Sequence, residues 1–522
     1  MAGVLPISEL QEANKRDIWK IGDALVLLAY SCVVLWTIRY HEKWADEAQA
    51  WLIARDLDLR TIWFHELRYE GSPGLWHTIL WIAQHVFHAG YGALGYIGAS
   101  FAIAGAAVLL FFAPFPRYIR WPLVFTYVMV YQYAVIARPY TLLPLLVFAA
   151  AILFKDTLHP ERITLVLLLL SLLTAHGTVL TACFGLAYLY EAVKLWPKVG
   201  NPVRKKYIAC VAVMVCTFAF IYLIVKPTPD VEMIALRNEI TNAPQAVRDS
   251  FPSISQKLVA VITGAFIDFL IPSVLLVLLF TTWCIWRKKW LSFILPVGAM
   301  IVFYAAIHGA AHHHGTAFVA AIAGLWIAWP TCEENLAFDR LDRMALGVVE
   351  ALLLILCAVN LFDAEVVIRR EYAYPYSGAA DAAQYLKSVG ADRNSMFGYL
   401  HGVVAVQAYF DHNIFVNNPT AFFHHGLPLD TTQLNVAELY RIKPEYVVAY
   451  SDEPEVMLKM GAGQLTSRGY ELVHLSDGYY LYKRGVFERE VYFIFRRLPD
   501  ALADSPPVTA NTTNSSQKRS LP

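Results

Sequence analysis

Eleven apolar segments follow one another along this chain, each near the length needed to cross a lipid bilayer, and they decide what it can fold into. They lie near 21–38, 91–113, 119–136, 139–154, 162–177, 178–196, 207–225, 268–286, 291–308, 315–331 and 343–362. A spanning helix needs roughly 20 mostly apolar residues, because each adds about 1.5 Å across a hydrocarbon layer of about 30 Å. Composition agrees. Hydrophobic residues make up 57% of the 522 and charged residues only 16%, against roughly 25% charged in soluble domains. The 14% aromatic content is the kind of load that gathers at membrane interfaces. The expectation is a mainly α, polytopic membrane helix bundle of about eleven spans.

Lys+Arg and Asp+Glu both number 42, so nothing points to a nucleic-acid partner. The seven cysteines lie in or beside apolar segments without CxxC spacing. Neither a disulfide framework nor a thiolate metal site is expected. Residues 1–20 are polar and have no small-residue cleavage site, so the first apolar segment reads as a retained anchor. No GxxxxGK[ST], HExxH or GxSxG occurs, which leaves the usual ATPase, zincin and serine-hydrolase readings without support.

Basic residues set the sidedness. The stretch Pro73 to His88 is apolar but short and carries three histidines. If it does not cross, one set of short loops holds fourteen Lys and Arg, from Arg117 to Arg343, and the other set holds Arg138 alone. That asymmetry places the rich set in the cytoplasm, with the N-terminal Lys15, Arg16 and Lys20. The first outer loop also carries Arg39, Lys43, Arg55, Arg60 and Arg68, so the first helix alone would leave orientation open. Pro73–His88 is then expected to lie in the outer interface. The resulting division is a cytoplasmic N-terminus (1–20), a transmembrane catalytic domain (21–365), an exported soluble α/β domain (366–500) and a disordered tail (501–522). In the exported part Ser377 starts a helical run, Ala379 to Val389, that stops at Gly390. Strands are expected at Asn413–Val416 and Tyr446–Tyr450, and around an Asp477-Gly478 hairpin turn.

The first outer loop is the most informative stretch. His41-Glu42-Lys43-Trp44-Ala45-Asp46-Glu47-Ala48-Gln49-Ala50-Trp51-Leu52 has helical spacing, with Trp44, Trp51 and Leu52 suited to lie on the membrane surface. A carboxylate held just above the bilayer is well placed to take a proton from an acceptor hydroxyl. Acids in the first turn of a helix are favoured without any chemistry, so the bland reading weighs as much on physics alone. Asp46 and Glu47 point about 100° apart and cannot both face one small site. Arg138 is the candidate for holding phosphate, by two hydrogen bonds from a permanent cation, although an interfacial Arg also snorkels to headgroups. His308 and His312 are one turn apart; His312, His313 and His314 are consecutive and cannot share one face. His176 is a weaker candidate. Asp268 sits at a membrane boundary, where an ionisable residue is either functional or a cap for the next span. Asp56-Leu57-Asp58 matches a DxD pattern too short to carry weight.

An acidic pair at the end of the first span, opening a surface helix, resembles the GT-C superfamily of polyprenyl-phosphate-sugar-dependent glycosyltransferases. Protein O-mannosyltransferases and bacterial aminoarabinose transferases belong to it. Tyr69-Glu70-Gly71-Ser72-Pro73 stands where that superfamily has a second surface helix, but lacks its double proline. Ala137-Arg138-Pro139-Tyr140 and the turn His308-Gly309-Ala310-Ala311-His312-His313-His314-Gly315 are similar to outer-face corners of bacterial relatives. The resemblance covers the order of elements over roughly residues 20–365. It implies Asp46 and Glu47 as catalytic carboxylates, with Glu70, Arg138, His176, His308, His312 and His313 binding substrate. It further implies a polyprenyl-phosphate sugar donor, a glycan, lipid or protein acceptor, inversion at the anomeric carbon, and a bacterial-type inner membrane. Some members use a divalent cation and others do not; the sequence requires none. Two other classes stay open: a transporter or flippase of a polyprenyl-linked or polar lipid, and a scaffold that presents the exported domain.

Overall fold

The computed structural model describes residues 7–231, 252–306, 310–393, 395–425, 436–453 and 463–499. The tail from residue 501 and His308 lie outside them. A bilayer offers no water to backbone N–H and C=O groups, so apolar segments close those bonds internally as helices. Helices occur in all eleven expected segments, but they are not equally long and one segment is broken. Among the described residues five helices are long and apolar enough to cross: Lys20–Ile38, Tyr91–Phe112, Ala175–Lys198, Asn201–Val225 and Arg340–Ala373. Ile254–Ala265 and Leu270–Trp286 would make a sixth as one span bent by 71°.

The remaining segments are shorter than the sequence implies. The Gly315–Ala328 helix has 14 residues, all buried, and the others pack around it. Close approach depends on small residues: a Cβ at Gly324 would lie 2.8 Å from the Ser292 carbonyl oxygen of the neighbouring Leu291–Ala306 helix. The expected span 119–136 is not one helix. Arg117–Val124, which contains Pro122, gives way to a five-residue π-helix at Val128–Gln132 and then to non-helical chain. Irregular backbone at this depth survives only inside protein, and residues 126–137 are buried throughout. This broken stretch delivers Arg138 to the end of the bundle where the Ala45–Asp56 helix and the C-terminal domain sit.

Helix α1 (Ile7–Ile38) ends in a turn, and α2 (Ala45–Asp56) follows it. The Leu75–His85 helix packs on α2, with the Gln84 amide donating to the Trp51 carbonyl at 3.1 Å. Its 11 residues reach about 16 Å, half of a bilayer core. The sequence expectation placed Trp44, Trp51 and Leu52 on lipid. Instead Trp51 and Leu52 are buried under protein, Trp51 beneath Tyr91 and Leu52 against the C-terminal domain. Amphipathic spacing marks a buried face without saying what covers it.

One 34-residue helix, Arg340–Ala373, carries the chain past residue 365, so the C-terminal domain starts beyond Ala373. That domain is a four-stranded sheet with helices on its faces, in the order β1 (Met396–Tyr399), β2 (Tyr446–Ser451), β4 (Phe487–Arg497), β3 (Tyr470–Leu481). β1 and β2 run parallel and the other pairs antiparallel. Ala379–Ser388 is helical as expected, closed by Gly390 at φ +67°. Asn413–Val416 is not a strand; it makes a single bridge, Phe415 to Met396. Nor does the hairpin turn at Asp477-Gly478. β3 runs straight through both residues, and the turn comes at Arg484 and Gly485, with φ +59° and +63°.

Candidate active site

The turn after α1 is built around one buried imidazole. His41 Nε2 lies 3.0 Å from Glu47 Oε2 and its Nδ1 lies 2.9 Å from Glu371 Oε1. Burial opposes a charge on His41, but the two carboxylates more than compensate and raise its pKa to about 10. Glu47 is fully buried. Its other oxygen accepts from the Ala137 backbone N–H at 2.7 Å, and Oε2 also accepts from Trp44 N–H at 3.3 Å. Burial works against its ionisation, yet His41, Ala137 N–H and Lys43 hold it below the usual carboxylate range. Glu371 also accepts from the Tyr131 hydroxyl. The cluster thus ties α1, α2, the broken 126–137 stretch and the Arg340–Ala373 helix together.

Asp46 faces the other way. Its side chain is 41% exposed, and Oδ2 lies 2.9 Å from Arg138 Nη1. Arg138 follows the residue that Glu47 holds, and it is extended because Pro139 comes next. Glu47 therefore fixes the backbone that aims the guanidinium, and Asp46 meets its charge. The guanidinium carbon lies 5.6 Å from the centre of the Trp44 ring and 5.5 Å from that of Tyr140. Burial disfavours the cation, but Asp46, Tyr140 and Glu47 hold Arg138 above its ordinary range. The pair is ionic by distance but poorly aligned: among the described residues Arg138 Nη1 makes no hydrogen bond. Donor capacity is left for another anion.

Arg138 and Trp44 line a cavity with Gln132, Tyr133, Tyr140 and His312 from the bundle, and Tyr376, Leu481 and Tyr482 from the C-terminal domain. The domain roofs this cavity, and its β3–β4 turn contacts the bundle beside it. Lys483 is half-buried, with its ammonium 3.4 Å from the Phe266 carbonyl, which lies at the break between the Ile254–Ala265 and Leu270–Trp286 helices and also accepts from the Asn360 amide at 3.1 Å. Burial pushes Lys483 down to about 8, with Asp363 pulling the other way. Arg484 pairs with Asp268 at 2.9 Å and lies over Phe269. Arg370 donates to the Gly485 carbonyl.

The expected site residues therefore sort into layers. Arg138 and His312 line the cavity, with the His312 ring edge-on to Trp44 at 5.8 Å, and Asp46 meets it through Arg138. His176 and His313 are buried behind it. His176 Nδ1 lies 2.9 Å from the Tyr140 hydroxyl, and the two imidazoles are 4.8 Å apart. Glu70 does not line the cavity; it accepts from Gln49 at 3.0 Å on another side of α2. Asp58 caps a helical turn and Asp56 pairs with Arg55, which accounts for the DxD pattern structurally. No local pattern marks Tyr376, Leu481 and Tyr482 as part of this cavity, because most of their bundle partners lie more than a hundred residues away. Among the described residues no three His, Cys, Asp or Glu side chains gather in a way that could hold a metal ion.

No family model and no curated protein matches the sequence. Two solved structures do match in three dimensions, both ArnT from Cupriavidus metallidurans. The apo state aligns with a TM-score of 0.51 at 13% identity, covering 91% of this chain and 98% of that one. The form bound to undecaprenyl phosphate gives 0.52 at 13% identity, covering 90% and 97%. At that identity the likeness is one of architecture: the chain has the fold of ArnT, an aminoarabinose transferase of GT-C type, bundle and roofing domain together.

Proposed function

We propose that this protein moves a sugar from a polyprenyl-phosphate donor to an acceptor hydroxyl at the outer face of a bacterial-type inner membrane, with the N-terminus in the cytoplasm. The observation that carries the reading is the Asp46–Arg138 pair, a carboxylate and a guanidinium meeting at the rim of one aromatic cavity. The fold supports it, since one of the two matched ArnT structures holds undecaprenyl phosphate.

In this mechanism the donor phosphate enters the cavity and takes the free donors of Arg138, with His312 beside it. The Tyr140–His176 pair backs the arginine. Fixed donors aimed at the departing phosphate lower the barrier by on the order of 3–4 kcal/mol each in such sites. Phosphate and Asp46 compete for one guanidinium, so donor binding draws Arg138 away and leaves the carboxylate free to accept a proton. Asp46 takes that proton from the acceptor hydroxyl; the oxygen attacks the anomeric carbon, and the C–O bond to phosphate breaks on the opposite side. The configuration inverts. Glu47, buried and held by three hydrogen bonds, acts as a positioning residue.

The test is a depletion assay on membranes expressing wild type or Asp46→Asn, with polyprenyl-phosphate sugars extracted and measured by mass spectrometry. Wild type should consume one donor species. Asp46→Asn should slow its loss by about 10²-fold or more. An Asp46→Asn protein present at normal level and fully active removes the mechanism. Consumption by detergent-solubilised protein separates transfer from transport, which needs a closed vesicle.

A further inference from the structure

Tryptophan carries one hydrogen-bond donor and no acceptor, so a buried indole nitrogen calls for an oxygen lone pair. Among the described residues Trp44 Nε1 is enclosed and has no such partner. Trp44 lines the cavity beside Arg138, whose Nη1 is likewise without a hydrogen bond. The guanidinium carbon lies 5.6 Å from the centre of the indole, so two unmet donors stand together. Three hydroxyls of the same wall are engaged. Tyr133 donates to the His313 carbonyl at 3.3 Å, Tyr140 meets His176 at 2.9 Å, and Tyr482 donates to Glu488 at 3.1 Å. Among the described residues that line the cavity none is a carboxylate. Unmet donors in a wall without acids suit an anion.

The indole is held by its own backbone and by its neighbours. Trp44 is the N-cap of α2: its carbonyl accepts from Glu47 N–H at 3.1 Å and Ala48 N–H at 3.0 Å, and its N–H donates to Glu47 Oε2 at 3.3 Å. Tyr480 packs edge-on against the ring at 4.8 Å and His312 at 5.8 Å. A donor fixed in this way needs no reorganisation when a ligand arrives. Packing alone does not call for the nitrogen, since a hydrocarbon ring fills space and leaves no buried donor unmet. Trp76, Trp81 and Trp283 share the unmet nitrogen but do not line the cavity. At Trp44 it coincides with a guanidinium that has donors to give.

Resting on the transferase reading above, we infer that the Trp44 indole N–H is a ligand of the donor phosphate, donating to one oxygen while Arg138 takes others. Its part is that of an anchor. Arg138 has to exchange Asp46 for phosphate, whereas the indole is neutral and Asp46 makes no bond to it. The phosphate is therefore held while the guanidinium changes partner. When the bond between the anomeric carbon and the phosphate oxygen breaks, its electron pair stays on that oxygen and a monoanion becomes a dianion. A hydrogen bond to phosphate strengthens as that charge grows, so the indole favours the departing state over the bound donor.

The experiment follows the indole N–H protons of the full-length, tryptophan-labelled protein in detergent by NMR. The probes are undecaprenyl phosphate, undecaprenol and inorganic phosphate. The Trp44 resonance is the one missing from both Trp44→Phe and Trp44→benzothienylalanine, the second of which keeps the shape of the ring and removes only the N–H. In wild type that resonance should move downfield with undecaprenyl phosphate. It should stay in place with undecaprenol, which has the tail without the anion, and with inorganic phosphate at the same concentration. Trp44→benzothienylalanine should bind undecaprenyl phosphate about tenfold more weakly, the loss of one hydrogen bond to a charged group. A Trp44 resonance that stays put while undecaprenyl phosphate binds overturns the proposal and leaves the transferase reading standing. So does undiminished binding by Trp44→benzothienylalanine. An equal shift with undecaprenol, which would report the tail, or with inorganic phosphate, which would make this a site for the free ion, overturns it too. A wild type that binds no undecaprenyl phosphate overturns the transferase reading itself, and the role of Trp44 with it.

Discussion

Asp46 follows the first apolar segment and Arg138 follows the third, yet they meet at 2.9 Å, with Trp44 and Tyr140 against the guanidinium. This contact has a consequence that a plain salt bridge lacks. If Arg138 is the phosphate ligand, Asp46 competes with phosphate for it. Asp46→Asn should then bind undecaprenyl phosphate at least as tightly as wild type while losing transfer. Arg138→Gln should bind it about tenfold or more weakly, and Arg138→Lys should fall between, because a point charge cannot make two parallel bonds. Titration of detergent-solubilised protein with undecaprenyl phosphate checks the order. Weaker binding in Asp46→Asn would contradict the competition.

The His41 cluster predicts a pH dependence of stability. His41 is raised to about 10 in the folded protein from an ordinary 6.5, so its contribution is complete below about pH 6.5 and is lost as pH climbs through 10. Two other groups move in or near that window. Burial raises Glu42 to about 7, so stability falls as pH rises from its ordinary 4.5 to 7, and the full cost then persists unchanged above 7. Lys483, lowered to about 8, gains stability as pH rises beyond that. The difference between wild type and His41→Gln isolates the imidazole. Removing the cation leaves two buried carboxylates facing each other, a loss of about 3 kcal/mol or more. Thermal unfolding in detergent should show a wide gap at pH 6.5 that narrows toward pH 10. A gap independent of pH would mean that His41 is neutral in the fold.

The sequence made the bundle legible because burial in lipid imposes a length and a composition on every segment, which is why 21–38 and 343–362 are found where they were expected. It overcounted the crossing lengths because apolar composition does not distinguish a span from a buried segment. Residues 119–136 are apolar enough to read as a span, yet fold as a short helix and a π-helix under protein cover. Asp46 and Arg138 could be singled out because each is an ionisable group beside an apolar run. The separation of Asp46 from Glu47 follows from helix geometry alone, but the reason Glu47 is buried, His41 and Ala137 N–H, is tertiary. The roof of the cavity was invisible for the same reason: nothing local marks Tyr376 or Tyr482 as neighbours of Trp44.

Asp268 illustrates the ambiguity of a lone charge at a membrane boundary. It reads as functional or as a cap, and it proves to be the socket for Arg484 on the β3–β4 turn. Asp268→Arg should lower the unfolding temperature by placing two cations together. The swap Asp268→Arg with Arg484→Asp should recover part of the loss in a double-mutant cycle. Equal destabilisation by the single and double variants would show that the ion pair does not hold the turn. If the turn roofs the cavity as its position indicates, Asp268→Arg should also bind undecaprenyl phosphate more weakly, and the swap should restore that too.

Gly478 offers the sharpest test of the revised hairpin. A glycine in the second position of an Asp-Gly turn is there for its backbone angles, but Gly478 is not at positive φ; it sits inside a straight strand. The reason is space. A Cβ there would lie 2.5 Å from the Gly378 nitrogen and 2.6 Å from the Ser377 Cα, and one at Gly378 would lie 2.8 Å from the Ser476 carbonyl oxygen. Two backbones touch, and no flexible side chain can give way. The contact also seats Glu490, buried and bonded by Ser377 at 2.6 Å, Gly378 N–H at 3.0 Å and Tyr492 at 2.8 Å. Gly478→Ala should therefore destabilise the C-terminal domain by about 1–3 kcal/mol or more, the cost of overpacking a closed contact. Gly92→Ala, with nothing within 4 Å of the added carbon, should be near neutral. Because β3 leads directly into Leu481 and Tyr482, the loss should extend to the cavity as weaker binding of undecaprenyl phosphate. Limited proteolysis and thermal unfolding of the two variants decide it. A Gly478→Ala protein as stable as Gly92→Ala would return the turn to Asp477-Gly478 and detach the roof from the path by which β3 reaches it.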